Sequence, residues 1–220
     1  MINYAIPICV AVIMILLSYG LIKYREFKAQ KNIKSLKPVN KKQWLILVGI
    51  VISISILTLC LILLYQSDWL TCVKHIIFGS FLWVFAHIDA EKHIIPNKLL
   101  LILIVIRAII LGLEFFFQSE LFKEEIISDA IACVGMIVIL ALMRLIVKNG
   151  IGFGDIKLFA VIGLFFGIKN TLTITFCSFV ISFAVSIFFL ATKRKSKKDQ
   201  IAFAPFILSG FLMSTILFGA

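Results

Sequence analysis

Eight apolar runs follow one another with little between them, and no feature of the chain constrains its fold more. They are Ile2–Ile22, Trp44–Leu64, Val73–Ile88, Leu99–Phe117, Ile126–Val147, Ile156–Ile168, Leu172–Ala191 and Ile201–Phe218. A helix that crosses the hydrocarbon core of a bilayer needs about 20 mostly apolar residues, and most of these runs meet or approach that length. The chain has 220 residues, 62% of them hydrophobic and only 15% charged. Soluble domains average about 45–50% apolar and about 25% charged, so a soluble core has no room for this much apolar surface. Disorder is excluded by the same numbers, because 21 Phe and long Ile/Leu runs cannot stay solvated. The expected fold is an all-α polytopic membrane protein with about eight transmembrane helices, two of them short. The short connections predict antiparallel neighbours in a compact bundle.

The net charge of +11 comes from 22 Lys and Arg against 11 Asp and Glu. Eight cations fall between Lys23 and Lys42 and five between Lys193 and Lys198, each cluster abutting an apolar run. That is the signature of cytoplasmic connections. The first cluster follows the first run, which predicts an external N-terminus, and the first residues lack the basic region of a cleavable signal peptide. Alternation then places four connections inside: Lys23–Gln43, Asp89–Lys98, the stretch around Lys148–Lys157, and Lys193–Gln200. With Arg144, they hold 18 of the 22 cations, whereas the outer connections hold Lys74, Lys123 and Lys169. The basic segments therefore face anionic lipid heads rather than nucleic acid, for which the chain lacks a basic stripe interleaved with aromatic residues.

Five cysteines (Cys9, Cys60, Cys72, Cys133, Cys177) lie scattered in or beside the runs without a Cys-x-x-Cys pair. They suit apolar packing and offer no zinc site. No metal or other cofactor is expected. His75 is expected at the membrane interface.

Two acidic motifs stand out. In His87-Ile88-Asp89-Ala90-Glu91-Lys92-His93-Ile94-Ile95-Pro96-Asn97, Asp89 closes the third run and Pro96-Asn97 opens the fourth, where proline is tolerated. By itself this is also an ordinary connection between helices. In Asn149-Gly150-Ile151-Gly152-Phe153-Gly154-Asp155-Ile156-Lys157-Leu158, alternate glycines weaken any helix and predict irregular backbone beside Asp155. Such backbone at the membrane edge needs cover from protein or a water-filled cavity. A phosphate loop is a poor alternative, since no Gly-Lys-Ser/Thr follows. Gly163 and Gly167 offer a small-residue face for close helix packing. The predicted topology puts Asp89 and Asp155 at the same, cytoplasmic depth. Two carboxyl groups a few ångströms apart cannot both ionise, so one keeps its proton while the other acts as a base.

These motifs resemble those of the type IV prepilin peptidases, bacterial polytopic aspartic proteases of the G-x-G-D type. Asp89 followed by Pro96-Asn97 matches their first motif. Gly152, Gly154, Asp155, Lys157, Leu158, Gly163 and Gly167 match their second. A weaker similarity lies in Ile201-Ala202-Phe203-Ala204-Pro205-Phe206, which has Ala at two family positions. The resemblance covers Val73 to the C-terminus. It implies an N-terminal two-helix region (1–72) with a short basic loop, and a six-helix peptidase core (73–220). It also implies Asp89 and Asp155 as the catalytic pair, with Gly152, Gly154, Lys157, Pro96 and Asn97 binding substrate or supporting the site. The implied substrates are prepilin- or pseudopilin-like membrane proteins, cut just before their hydrophobic helix at the cytoplasmic face of the bacterial inner membrane. Many family members carry a larger first loop with zinc-binding cysteine pairs and also methylate the new N-terminus. Here Lys23–Gln43 is short, basic and free of cysteine, so cleavage without N-methylation is expected.

Two other readings compete. Intramembrane proteases of the presenilin type pair the G-x-G-D loop with a Tyr-Asp motif, whereas Ile88 precedes Asp89 here. A small transporter or membrane scaffold would draw support from Arg107 inside the fourth run. Glu114 lies seven residues on and on nearly the same face, so a structural ion pair is the competing account of Arg107.

Overall fold

A computed structural model describes residues 2–29, 41–117, 122–146, 151–192 and 202–219. The basic segments 30–40 and 193–200, and Asn149-Gly150 of the second motif, lie outside the described residues. Among the described residues the chain is all helix: α1 (Ile2–Ala29), α2 (Lys41–Leu59), α3 (Trp69–Lys92), α4 (Asn97–Phe117), α5 (Phe122–Ile146), α6 (Phe153–Ala191) and α7 (Ala204–Phe218). A π-helical turn, Cys60–Leu64, extends α2. Among the described residues, four tracts are by length and composition able to cross a membrane, namely α3, α4, α5 and Phe153–Phe189 of α6. Shorter apolar helices run over Ala5–Gly20, Val48–Leu64 and Ala204–Phe218.

Two of the eight apolar runs, Ile156–Ile168 and Leu172–Ala191, fall in the single tract α6. They nevertheless form separate legs. The rings of Phe159 and Phe179 stack with centroids 6.2 Å apart, whereas twenty residues of continuous helix would separate them by about 30 Å. The chain folds back at Gly167, whose φ of 67° and ψ of −174° are non-helical. Only glycine adopts that region readily. Gly167 is therefore the reversal point and not part of a flat packing face, as its four-residue spacing from Gly163 suggests. Gly163 does pack closely: a Cβ there would lie 2.6 Å from the Cys133 backbone nitrogen on α5. Gly210 of α7 meets Ser178 on the second leg of α6 in the same way, with a Cβ only 2.6 Å from its backbone nitrogen. Small residues let backbones approach in lipid, where the hydrophobic effect cannot drive helices together.

The reversal frees backbone groups that a helix would pair, and side chains take them over. The Ile168 N–H donates to Ser128 Oγ of α5 at 3.0 Å. The Leu164 carbonyl accepts from Arg107 Nε of α4 at 2.7 Å. Arg107 is 2% exposed, and its remaining nitrogens reach Glu114 at 2.8 Å and Asp129. Lys74 of α3 adds a contact to Glu114 at 2.8 Å. Arg107 thus pairs with Glu114, one of its expected partners, and with a backbone carbonyl besides. Two cations and two carboxylates balance, which buried charges require. His75 packs inside the bundle. It is 2% exposed, its ring 4.8 Å from that of Phe166 and its Nδ1 bonded to the Thr71 carbonyl.

The core centres on α3, which packs against α1 and α7, while α6 packs against α5 and α7. Phe78 touches Phe165, Phe166 and Phe211 at centroid distances of 5.0, 5.1 and 5.7 Å. The outer faces are apolar as well, with Phe116 80% and Phe176 70% exposed. Faces of that kind fit a bilayer, not water.

Candidate active site

Four helix ends converge at one end of the bundle: the last turn of α3 and the first turns of α4, α6 and α7. Each is brought there by its local sequence. Helix α3 stops at His93, whose left-handed backbone (φ 52°) turns the chain while its N–H bonds the Asp89 carbonyl at 2.8 Å. The chain then passes through Ile94 and Ile95 to Pro96, whose carbonyl receives the Leu99 and Leu100 N–H groups at the entrance to α4. Pro96 can sit there because its missing N–H has no helical partner to lose.

Asp89 is buried, and its Oδ2 accepts the Ala204 N–H at 2.9 Å, where α7 begins. Asp155 lies in the first turn of α6, and its Oδ2 accepts the Gly152 N–H at 3.3 Å. The two carboxyl groups are near enough to interact electrostatically. Asp155 is half-buried, beside the exposed Gly152 and Phe153. The site therefore has a dry side at Asp89 and an open side at Asp155.

The glycines act by closeness. A Cβ on Gly154 would stand 3.1 Å from the Ile95 side chain, so this glycine lets the start of α6 press onto the turn between α3 and α4. A Cβ on Gly152 would lie 3.0 Å from Asp155 Oδ2. Irregular backbone is expected beside Asp155, but it ends at Gly152; Gly154 and Asp155 are already helical. Lys157 Nζ donates to Asn97 Oδ1 at 3.1 Å, tying α6 to α4. Asp89, Pro96, Asn97, Gly152, Gly154, Asp155 and Lys157 are thus gathered into one site.

Two partners escape a reading of side chains. The Ala204 donor is a main-chain group inside Ile201–Phe206, where residue identity says nothing of hydrogen bonding. Arg144, in the last turn of α5, donates to the Ile151 carbonyl and lies over the Phe153 ring, 3.8 Å from its centroid. A cation closing a helix just before a glycine-rich segment is the one available signal for it.

Two neighbouring carboxyl groups can provide a base and an acid together. The base can take a proton from water and the acid can protonate a departing amine.

Residues 76–190, which include both aspartates, match the type IV leader peptidase family. The chain is also similar to the prepilin leader peptidase/N-methyltransferase of Bacillus subtilis (strain 168), 29% identical over 141 residues. That alignment covers 63% of this chain and 53% of the relative, so the chain spans about half the relative's length. No solved structure matches. With more than half of its length matched and both acidic motifs inside or beside one bundle end, the chain belongs to the type IV leader peptidase family.

Proposed function

We propose that this protein is a membrane aspartic endopeptidase that removes the short basic leader from type IV prepilin-like proteins, without methylating the new N-terminus. The observation that carries the proposal is the meeting of Asp89 and Asp155 at one end of the bundle, each held by a main-chain N–H. In this reading one carboxylate removes a proton from water as the water oxygen bonds to the scissile carbonyl carbon. The protonated partner then gives its proton to the leaving nitrogen as the C–N bond breaks, and the pair again holds one proton. The half-exposed Asp155 side admits an extended chain, and Asp89 stays on the protein side.

The reading places eight spans in a bacterial inner membrane, with the N-terminus outside and the aspartates at the cytoplasmic face. Its support is that 18 of 22 cations fall on one predicted side. It also treats residues 1–72 as an accessory two-helix region and 73–220 as the peptidase core. Absence of methylation rests on the short, cysteine-free Lys23–Gln43 segment. A transporter reading loses its main support, because the partners of Arg107 balance its charge within the bundle.

The test is co-expression with candidate prepilins, comparing wild type with Asp89→Asn and Asp155→Asn. Leader removal should be lost in both variants while membrane insertion stays normal. Full cleavage by either variant refutes the dyad. A methylated N-terminus that depends on this protein alone, read by mass spectrometry, refutes the second half of the proposal.

A further inference from the structure

Among the described residues, the loop that presents Asp155 is held by Ile151 packing against the core, by the Gly152 carbonyl accepting the Ile156 N–H at 3.3 Å, and by contacts from α5. Gly152 has no side chain, and its N–H is the group bonded to Asp155 Oδ2. Both of its neighbours are touched by one residue of another helix. Arg144 gives an Nη1 hydrogen to the carbonyl of Ile151, and its Cζ lies over the ring of Phe153, 3.8 Å from the centroid. Ile151 precedes Gly152 and Phe153 follows it, so the guanidinium grips the peptide on both sides of the donor. Phe153 is 66% exposed, and its fixed position comes from this stacking and not from burial.

The chemistry selects arginine. A planar guanidinium can donate along its edge while it stacks through its face, whereas an ammonium cannot do both. Its place in the last turn of α5 also suits a cation near exposed carbonyls. An orientation signal alone would need only positive charge, which lysine supplies equally well.

We propose that Arg144 is a positioning residue for Asp155, clamping residues 151–153 so that the Gly152 N–H meets the carboxyl group. The proposal rests on the peptidase reading for its kinetic consequence but not for its structural one, and the two can fail separately.

The experiment uses the full-length protein reconstituted in lipid nanodiscs, as wild type, Arg144→Lys, Arg144→Ala and Phe153→Leu. Amide exchange is followed over 151–155, together with cleavage of a reconstituted prepilin. Both Arg144 variants should speed exchange in that segment about tenfold or more, with exchange elsewhere in the bundle unchanged. They should lower kcat by about 10- to 100-fold with KM within about twofold, because a displaced catalytic group costs rate more than binding. Phe153→Leu, which loses only the stacking, should fall between them and wild type, and it decides the matter if the Arg144 variants do not fold. Wild-type exchange in Arg144→Lys would overturn the proposal, since charge alone would then suffice. So would unchanged exchange in Arg144→Ala or Phe153→Leu. If the wild type cleaves no prepilin, the peptidase reading fails while the exchange data still decide the role of Arg144.

Discussion

Gly163→Ala tests how closely the site depends on the packing of α5 against α6. A Cβ at this position would lie 2.6 Å from the Cys133 nitrogen, 2.7 Å from the Ala132 carbonyl carbon and 2.9 Å from the Cys133 Cα. All three are backbone atoms, so no side chain can rotate away. Ordinary contact begins near 3.4 Å, and the helices must part by about 0.8 Å to accept one methyl group. Alanine favours helix over glycine by about 1 kcal/mol, but overpacking a close contact costs about 1–3 kcal/mol. Lipid fills no gap at such an interface as well as the lost helix contact did. The expected net change is a loss of up to about 2 kcal/mol. The displaced leg carries Asp155 about 12 Å away along the helix, so cleavage should fall as well. Gly112→Ala is the control, because a Cβ there meets nothing within 4 Å. It should be neutral or slightly stabilising. Thermal unfolding in detergent and prepilin cleavage would be measured for both. If Gly163→Ala is as stable as Gly112→Ala and cleaves like wild type, the close-packing account is wrong.

Three further outcomes are expected. Gly167→Ala combines a backbone region that costs about 1–3 kcal/mol for other residues with a Cβ 2.6 Å from Ser128 Oγ; in thermal melts the double variant Gly167→Ala/Ser128→Ala should regain only part of the loss. Arg107→Ala leaves Glu114 and Asp129 without their shared cation, and loss of one buried partner costs about 3–5 kcal/mol. The same melts would show this, and a midpoint unchanged from wild type would mean the network contributes nothing. Asn97→Ala and Lys157→Ala should couple by about 0.2–1 kcal/mol in a double-mutant cycle, since their bond is exposed; strictly additive losses would show that the bond does not hold α6 to α4.

Much of this was legible because lipid simplifies the code. Each apolar run became a helical leg, and helix ends at one end of the bundle brought Asp89 and Asp155 together. The ion pair between Arg107 and Glu114 followed from their seven-residue spacing on one helix. What escaped belongs to the backbone or to distant segments. The spacing of Gly163 and Gly167 suits a packing face equally well whether the chain continues or reverses, and only the positive φ of Gly167 separates the two. Asp129 joins Arg107 from another helix, 22 positions away, with no local pattern to announce it. The Phe166 and Phe211 rings that pack against His75 come from other helices, again with no local pattern to announce them. The Ala204 N–H donor could not be seen from side chains at all.

The sockets for the reversal at Gly167 also order events during biogenesis. Arg107 and Ser128, which take the freed Leu164 and Ile168 groups, precede the hairpin in the chain and enter the membrane first. Once α3, α4 and α5 are in place, the hairpin has a polar receptacle waiting. Inserted alone, it would leave the Leu164 carbonyl and the Ile168 N–H without these side-chain partners. Fragments 1–146 and 151–220 should therefore assemble when made together, while 151–220 made alone should be degraded; its stable accumulation would contradict this order. Translation from the N-terminus delivers the receptacle before its guest.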